Sequence, residues 1–167
     1  MKQVIYIMGV AGSGKTTIGE LLHHKTGLPF FDADDFHPQM NKEKMKAGHA
    51  LNDEDRAPWL HQMNMLAREQ MQWDGAIIAC SALKEKYRSV LSLGITKPVW
   101  VFLRGSYETI VKRMENRPLH FMPVSLLQSQ FESLEIPAQA LTLSIEKEPV
   151  EIVEIIYRYL ISEAIGT

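Results

Sequence analysis

The plainest chemistry in this chain lies in the segment Gly9-Val10-Ala11-Gly12-Ser13-Gly14-Lys15-Thr16, which matches G-x-x-x-x-G-K-[ST] at every fixed position. Glycines let successive backbone N–H groups turn inward around an anion without Cβ clashes. A helix starting at the loop adds the positive end of its dipole. In such a loop the lysine, Lys15, reaches the β- and γ-phosphates, and the hydroxyl of Thr16 ligates Mg²⁺. Residues Gly9 to Thr16, with Thr17 next in the helix, are therefore a candidate cradle for a nucleoside triphosphate.

A second group follows at Asp32-Ala33-Asp34-Asp35. In extended chain alternate residues point the same way, which predicts Asp32 and Asp34 on one face. Two carboxylates beside a phosphate loop suit two tasks. One can hold Mg²⁺ or its waters, since magnesium prefers oxygen ligands. The other can accept a proton from an attacking hydroxyl. Asp35 is expected to face solvent, because aspartate is favoured in turns for local reasons as well.

The surrounding pattern must place these groups together. Val4–Met8 is an apolar run that predicts a buried strand ahead of the loop, and Ile18, Leu21 and Leu22 predict a helix over 17–25 that ends at Gly27. Further strands are expected at 28–31, 76–80, 99–103 and, more weakly, 141–145. Helices are expected at 41–47, 55–73, 84–93, 107–116, 124–134 and 150–161, with Pro58 in the first turn of its helix. Alternation of this kind predicts a parallel sheet with helices on both faces. Ligands bind such sheets beyond the carboxyl ends of the strands, where Gly9, Asp32, Ser81 and Arg104 fall.

Composition narrows the function classes. The length of 167 residues suits one domain, 1–167. A formal net charge of -2 argues against a nucleic-acid binder working through a basic surface. The single cysteine, Cys80, forbids an internal disulfide, fits a reducing cytoplasmic setting, and is expected to be a small buried strand residue. No apolar run approaches the roughly 20 residues of a membrane span, and no targeting segment precedes the first strand. A guanine-reading Asn-Lys-x-Asp segment is not matched, since Asn41-Lys42-Glu43-Lys44 fails at its last position. A motor ATPase or helicase would be far larger. A phosphotransferase is the leading expectation.

The order of further motifs carries a family resemblance. Phe31-Asp32-Ala33-Asp34-Asp35-Phe36-His37-Pro38 is followed by Asn41, Lys44-Met45 and Gly48. Then come Leu51-Asn52-Asp53-Glu54-Asp55-Arg56, Pro58-Trp59-Leu60, Cys80-Ser81-Ala82-Leu83-Lys84 and Tyr87-Arg88. Arg117, His120-Phe121-Met122, Ser129-Gln130-Phe131 and Leu134-Glu135 complete the series. This order resembles the gluconokinases, small P-loop kinases related in fold to shikimate and adenylate kinases. The resemblance implies a five-stranded parallel sheet in the order 2-3-1-4-5, a mobile lid over about 113–123, and a homodimer. It implies transfer from ATP to the 6-hydroxyl of D-gluconate; the alternatives are another small hydroxy acid such as shikimate, or a non-catalytic nucleotide-binding regulator.

Gluconate needs a cation for its carboxylate and polar partners for its hydroxyls. Arg56, Lys84 and Arg88 are the candidate cations, because arginine pairs with carboxylate through parallel hydrogen bonds. Lys84 and Arg88 are four apart and are expected on one helix face. Asp34, His37 and Ser81 can meet hydroxyls, and His120 and Gln130 join the substrate set through the resemblance. Lys112, Arg113, Arg117 and His120 form a basic cluster that can close over the phosphates. The chain departs from the family in Pro118-Leu119, which stand where Gly commonly precedes the His-Phe pair; Pro118 stiffens this stretch. The assignment is Lys15, Arg113 and Arg117 on the transferring phosphoryl group, Thr16 and Asp32 for Mg²⁺, and Asp34 as base.

Overall fold

The computed structural model describes residues 2–116 and 123–165. The elements run β1 (Gln3–Met8), α1 (Lys15–Thr26), β2 (Phe30–Asp32), a one-turn 3₁₀ helix (Ala33–Phe36), α2 (Gln39–Lys46), α3 (Asp53–Gln70) and β3 (Gly75–Ala79). They continue with α4 (Glu85–Ser92), β4 (Val99–Arg104), α5 (Tyr107–Glu115), α6 (Val124–Ser133), β5 (Leu141–Ser144) and α7 (Pro149–Ile165). The five strands pair in parallel in the order β2-β3-β1-β4-β5. The weak 141–145 pattern is a real edge strand, with Leu143 opposite Leu103.

Strand alternation sends neighbouring residues to opposite faces, and the two faces bury separate clusters. Ile5, Ile7, Ile77, Val101 and Leu103 pack with Ile18 and Leu22 of α1 and with Ile152, Ile156 and Leu160 of α7. Val4, Tyr6, Met8, Ile78 and Phe102 pack with Trp59, Leu60 and Met63 of α3 and Leu91 of α4. Cys80 is buried on this second side, and desolvation pushes its thiol up to about 12, as suits an inert core residue. None of the described helices is long and apolar enough to cross a membrane.

Two local expectations change. The helix expected from Asp55 starts at Asp53, because Asn52 and Asp55 form a reciprocal capping box: each side chain accepts from the other's backbone N–H, at 2.8 and 2.9 Å. Pro58 therefore lies in the second turn, where it removes the N–H that the Glu54 carbonyl would otherwise meet. The acidic segment is not extended either. Asp32 caps the 3₁₀ turn, its Oδ1 accepting from the Asp34 N–H at 3.0 Å. Asp32 and Asp34 are thus neighbours through a capped turn, not through strand alternation.

Candidate active site

The carboxyl ends of β2, β3 and β1 lie side by side: Asp32 is opposite Ala79, Ala79 is opposite Ile7, and Cys80 N–H donates to the Ile7 carbonyl at 3.0 Å. The phosphate loop leaves β1 at this edge. Gly9 has φ +151, and a Cβ there would lie 2.9 Å from the Leu103 carbonyl and 2.7 Å from Ser13 Oγ. Gly14, at φ +98, turns the chain into α1, and a Cβ on it would meet nothing within 4 Å. Among the described residues no side chain caps α1, which leaves its first-turn N–H groups to an anion at the loop. Lys15 Nζ lies across the loop, donating to the Val10 carbonyl at 3.0 Å. Burial lowers the Lys15 pKa, and the charges of Asp34 and then Asp32 act against that loss of charge.

Thr16 and Asp32 are in direct contact, the Thr16 hydroxyl donating to Asp32 Oδ2 at 2.6 Å. They are hard oxygen donors at the entrance of the phosphate cradle, and they fit Mg²⁺. Among the described residues no group of three His, Cys, Asp or Glu could hold a metal. A cation here would therefore rest on Thr16, Asp32 and the substrate's phosphates, the usual manner for magnesium.

Asp34 stands one turn further on. Desolvation by surrounding protein raises its carboxyl above the ordinary aspartate range, Lys15 opposes the rise, and Asp32 and Asp35 add to it. The side chain is nonetheless 72% exposed, so water reaches it from the cleft and weakens the effect of burial. His37 Nε2 lies 3.9 Å from Asp34 Oδ1. The His37 ring is buried and stacks on Trp59 at 3.9 Å between centroids. Trp59 is itself pinned, its Nε1–H donating to the Ala33 carbonyl at 2.7 Å.

Beyond Asp34, Arg56 lines a cavity together with Leu51, Leu83, Ser129 and Gln130. Its guanidinium donates to the Leu51 carbonyl and lies 5.3 Å from the Tyr87 ring centroid. Asp53 organises the cations around that ring: it accepts from Lys86 and the Tyr87 hydroxyl and lies 3.7 Å from Lys84 Nζ. Those bonds, Lys86 first, hold the Asp53 carboxyl down at about 2. A larger cavity, lined by Lys2, Gln3, Arg88, Val99, Trp100 and Leu141, opens at the amino ends of the strands, and neither Lys15 nor Asp34 lines it.

Comparison with known proteins fits this geometry. A family model described as shikimate kinase matches residues 11–147. The thermosensitive gluconokinase of Escherichia coli is 46% identical over 132 residues, covering 78% of this chain and 71% of that one. The chain belongs to the gluconokinase family. A solved gluconokinase from Sinorhizobium meliloti superimposes with a TM-score of 0.81 at 38% identity, covering 92% of this chain and 88% of that chain. A sugar kinase structure from a Janibacter species gives 0.90 at 40% identity, over 96% and 95% of the two chains.

Several site residues expected from the gluconokinase resemblance stand elsewhere. Arg88 is 3% exposed and has no donor to spare. Its two Nη1 hydrogens go to the Ala82 and Leu83 carbonyls, and its Nη2 and Nε hydrogens go to Glu85 Oε2 and the Glu135 carbonyl. It braces the loop after β3, where Ala82 is held at φ 46. Lys84, the N-cap of α4, does stand one turn before Arg88, whose N–H donates to its carbonyl at 3.2 Å, but the two side chains take different partners: Lys84 Nζ lies 3.7 Å from Asp53, whereas Arg88 turns to Glu85 and the loop carbonyls. Gln130 Oε1 accepts from the Ala11 N–H at 2.7 Å, joining α6 to the phosphate loop. The Arg113 guanidinium donates to the Ile145 carbonyl, past the end of β5. Ser81 is half-buried beyond β3, its carbonyl accepting from the Gly9 N–H at 3.4 Å. Arg117 and His120, with most of the 113–123 lid, lie outside the described residues.

Asp53, Tyr87 and Asn41 were missed as site residues. Each stands inside a quoted family motif, but residue type alone did not separate them from surface or packing positions.

Proposed function

We propose that this chain phosphorylates D-gluconate at its 6-hydroxyl, using ATP and releasing 6-phospho-D-gluconate and ADP. The observation that carries it is Asp34 set within reach of the Lys15 charge and 3.9 Å from His37, in a chain of the gluconokinase family. The acceptor oxygen attacks the γ-phosphorus, its proton passes to Asp34, and the bond to the ADP oxygen breaks. Lys15 and the first-turn N–H groups of α1 hold the transferring group and stabilise its charge. Thr16 and Asp32 would hold Mg²⁺, which neutralises phosphate charge when bound. Arg56 meets the acceptor's carboxylate.

A panel of small hydroxy acids, with ADP formation coupled to a colour change, tests the acceptor. Gluconate is expected to be turned over far faster than shikimate, and transfer is expected to need added Mg²⁺. Preference for another acid removes the gluconate assignment, and activity in chelator removes the metal. A homodimer, a cytoplasmic setting and a role in gluconate utilisation rest on the family likeness. Light scattering at twice the 19.0 kDa chain mass tests the dimer, and a monomer mass at assay concentration rejects it.

A further inference from the structure

Asn41, on α2, is 5% exposed and carries no charge, yet it sits behind the acceptor site with its amide turned to two partners. Its Nδ2 lies 2.9 Å from the Asp55 carbonyl oxygen and 3.4 Å from His37 Nδ1. A carbonyl oxygen can only accept, so the atom facing it is the NH₂ group. One hydrogen of that group goes to Asp55 and the other is left for His37 Nδ1. That nitrogen must then present a lone pair, and a neutral imidazole places its single proton on Nε2.

We infer that Asn41 is a positioning residue that locks His37 as the neutral Nε2–H tautomer, with its one donor turned toward Asp34. This rests on the assignment of Asp34 as the group that receives the hydroxyl proton. Stacking on Trp59 at an interplanar angle of 19° fixes the plane of the ring, and the Asn41 amide beside Nδ1 selects the edge that faces Asp34. The gap of 3.9 Å between Nε2 and Asp34 Oδ1 is too long for a direct bond. It admits an oxygen at about 2.8 Å from each, to one side of the line joining them. Such an oxygen must accept from Nε2–H and donate to a carboxylate. A hydroxyl does both; a carboxylate oxygen can do only the first and meets the charge of Asp34. Asn41 thereby makes this end of the pocket select a hydroxyl, while Arg56 takes the acid end.

The electrostatics agree. His37 is held down at about 4, by burial first and then by the positive charges of Arg56 and Lys42, so Asp34, the facing carboxylate, does not draw it into the charged form. His37 therefore offers no lone pair to the cleft and does not compete with Asp34 for the proton.

The test is nitrogen-15 NMR on the full chain labelled at histidine, with the His37 signals assigned by their loss in His37→Gln. The expected wild-type pattern is a single proton on Nε2, unchanged from about pH 5 to 8. A single proton on Nδ1, or an imidazolium at neutral pH, overturns the inference, and neither readout depends on gluconate being the acceptor. Asn41→Asp puts an acceptor opposite Nδ1, so the pattern must move to Nδ1–H or to imidazolium. With gluconate, kcat is expected to fall about tenfold to a hundredfold and to gain a new pH dependence, with KM for ATP unchanged. An unchanged tautomer in a folded Asn41→Asp chain, or an equal loss in kcat and ATP affinity without a new pH dependence, marks Asn41 as structural only.

Discussion

Asp34→Asn is expected to lower the rate of phosphoryl transfer to gluconate by about 10²–10⁴-fold, the usual contribution of a positioned proton acceptor. ATP affinity is expected to stay near the wild-type value. The substitution keeps the shape of the side chain and its place in the 3₁₀ turn, whose cap is the Asp32 carboxylate and not Asp34. The Thr16–Asp32 contact does not depend on it. What is lost is an anion able to take the hydroxyl proton. Because burial raises the Asp34 carboxyl, the acid limb of the kcat/KM profile should lie above the ordinary aspartate range, with activity gained as pH rises through it. Coupled ADP detection and calorimetric titration with ATP measure the two halves separately. Turnover near that of the wild type would remove Asp34 from the proton-accepting role.

How far the site could be read from residues alone differed between its donor and acceptor halves, for physical reasons. The donor half is local in sequence. One strand, the six loop residues 9–14 and one helix form the cradle, so spacing dictates geometry, and the match at Gly9–Thr16 became the structure directly. Alternating strand and helix patterns likewise pointed to the parallel sheet, because the central strands β1, β3 and β4 are apolar and buried along most of their length. The acceptor half gathers α3, α4, α6 and the turn after β2, and there residue type was ambiguous. Arg88 has the charge and spacing of a ligand, yet its five donors close a knot of backbone carbonyls and one carboxylate. Nothing in an i,i+4 spacing says which way a guanidinium turns, and Lys84, one turn before Arg88, is drawn to Asp53 instead. Asp32 and Asp34 were paired for the wrong backbone reason, since alternation assumes a strand and the Asp32 side chain had already ended it. Asn41 is a neutral helix residue in sequence; only the converging positions of the Asp55 carbonyl and the His37 ring make its amide specific.

Lys15→Met is the second large loss, and it separates the two halves of the reaction. Transfer to gluconate is expected to fall about 10²–10³-fold, as for removal of one preorganised group that stabilises charge in a transition state. Stability is expected to hold or rise. Methionine fills a similar unbranched volume, and no ammonium then has to be desolvated beside the loop, the burial that lowers the Lys15 pKa. A loss of rate with an unchanged unfolding midpoint therefore cannot be ascribed to damage of the fold. Lys15→Arg should not restore the rate, because a planar fork does not replace a compact ammonium held 3.0 Å from the Val10 carbonyl. The slow hydrolysis of ATP without any acceptor gives the decisive comparison. Water needs no gluconate pocket, so Asp34→Asn should leave this background close to wild type, while Lys15→Met should depress it together with transfer. If Lys15→Met spared the background and lost only transfer to gluconate, the lysine would belong to the acceptor side, and the division of labour drawn between the phosphate loop and the carboxylate after β2 would have to be reversed.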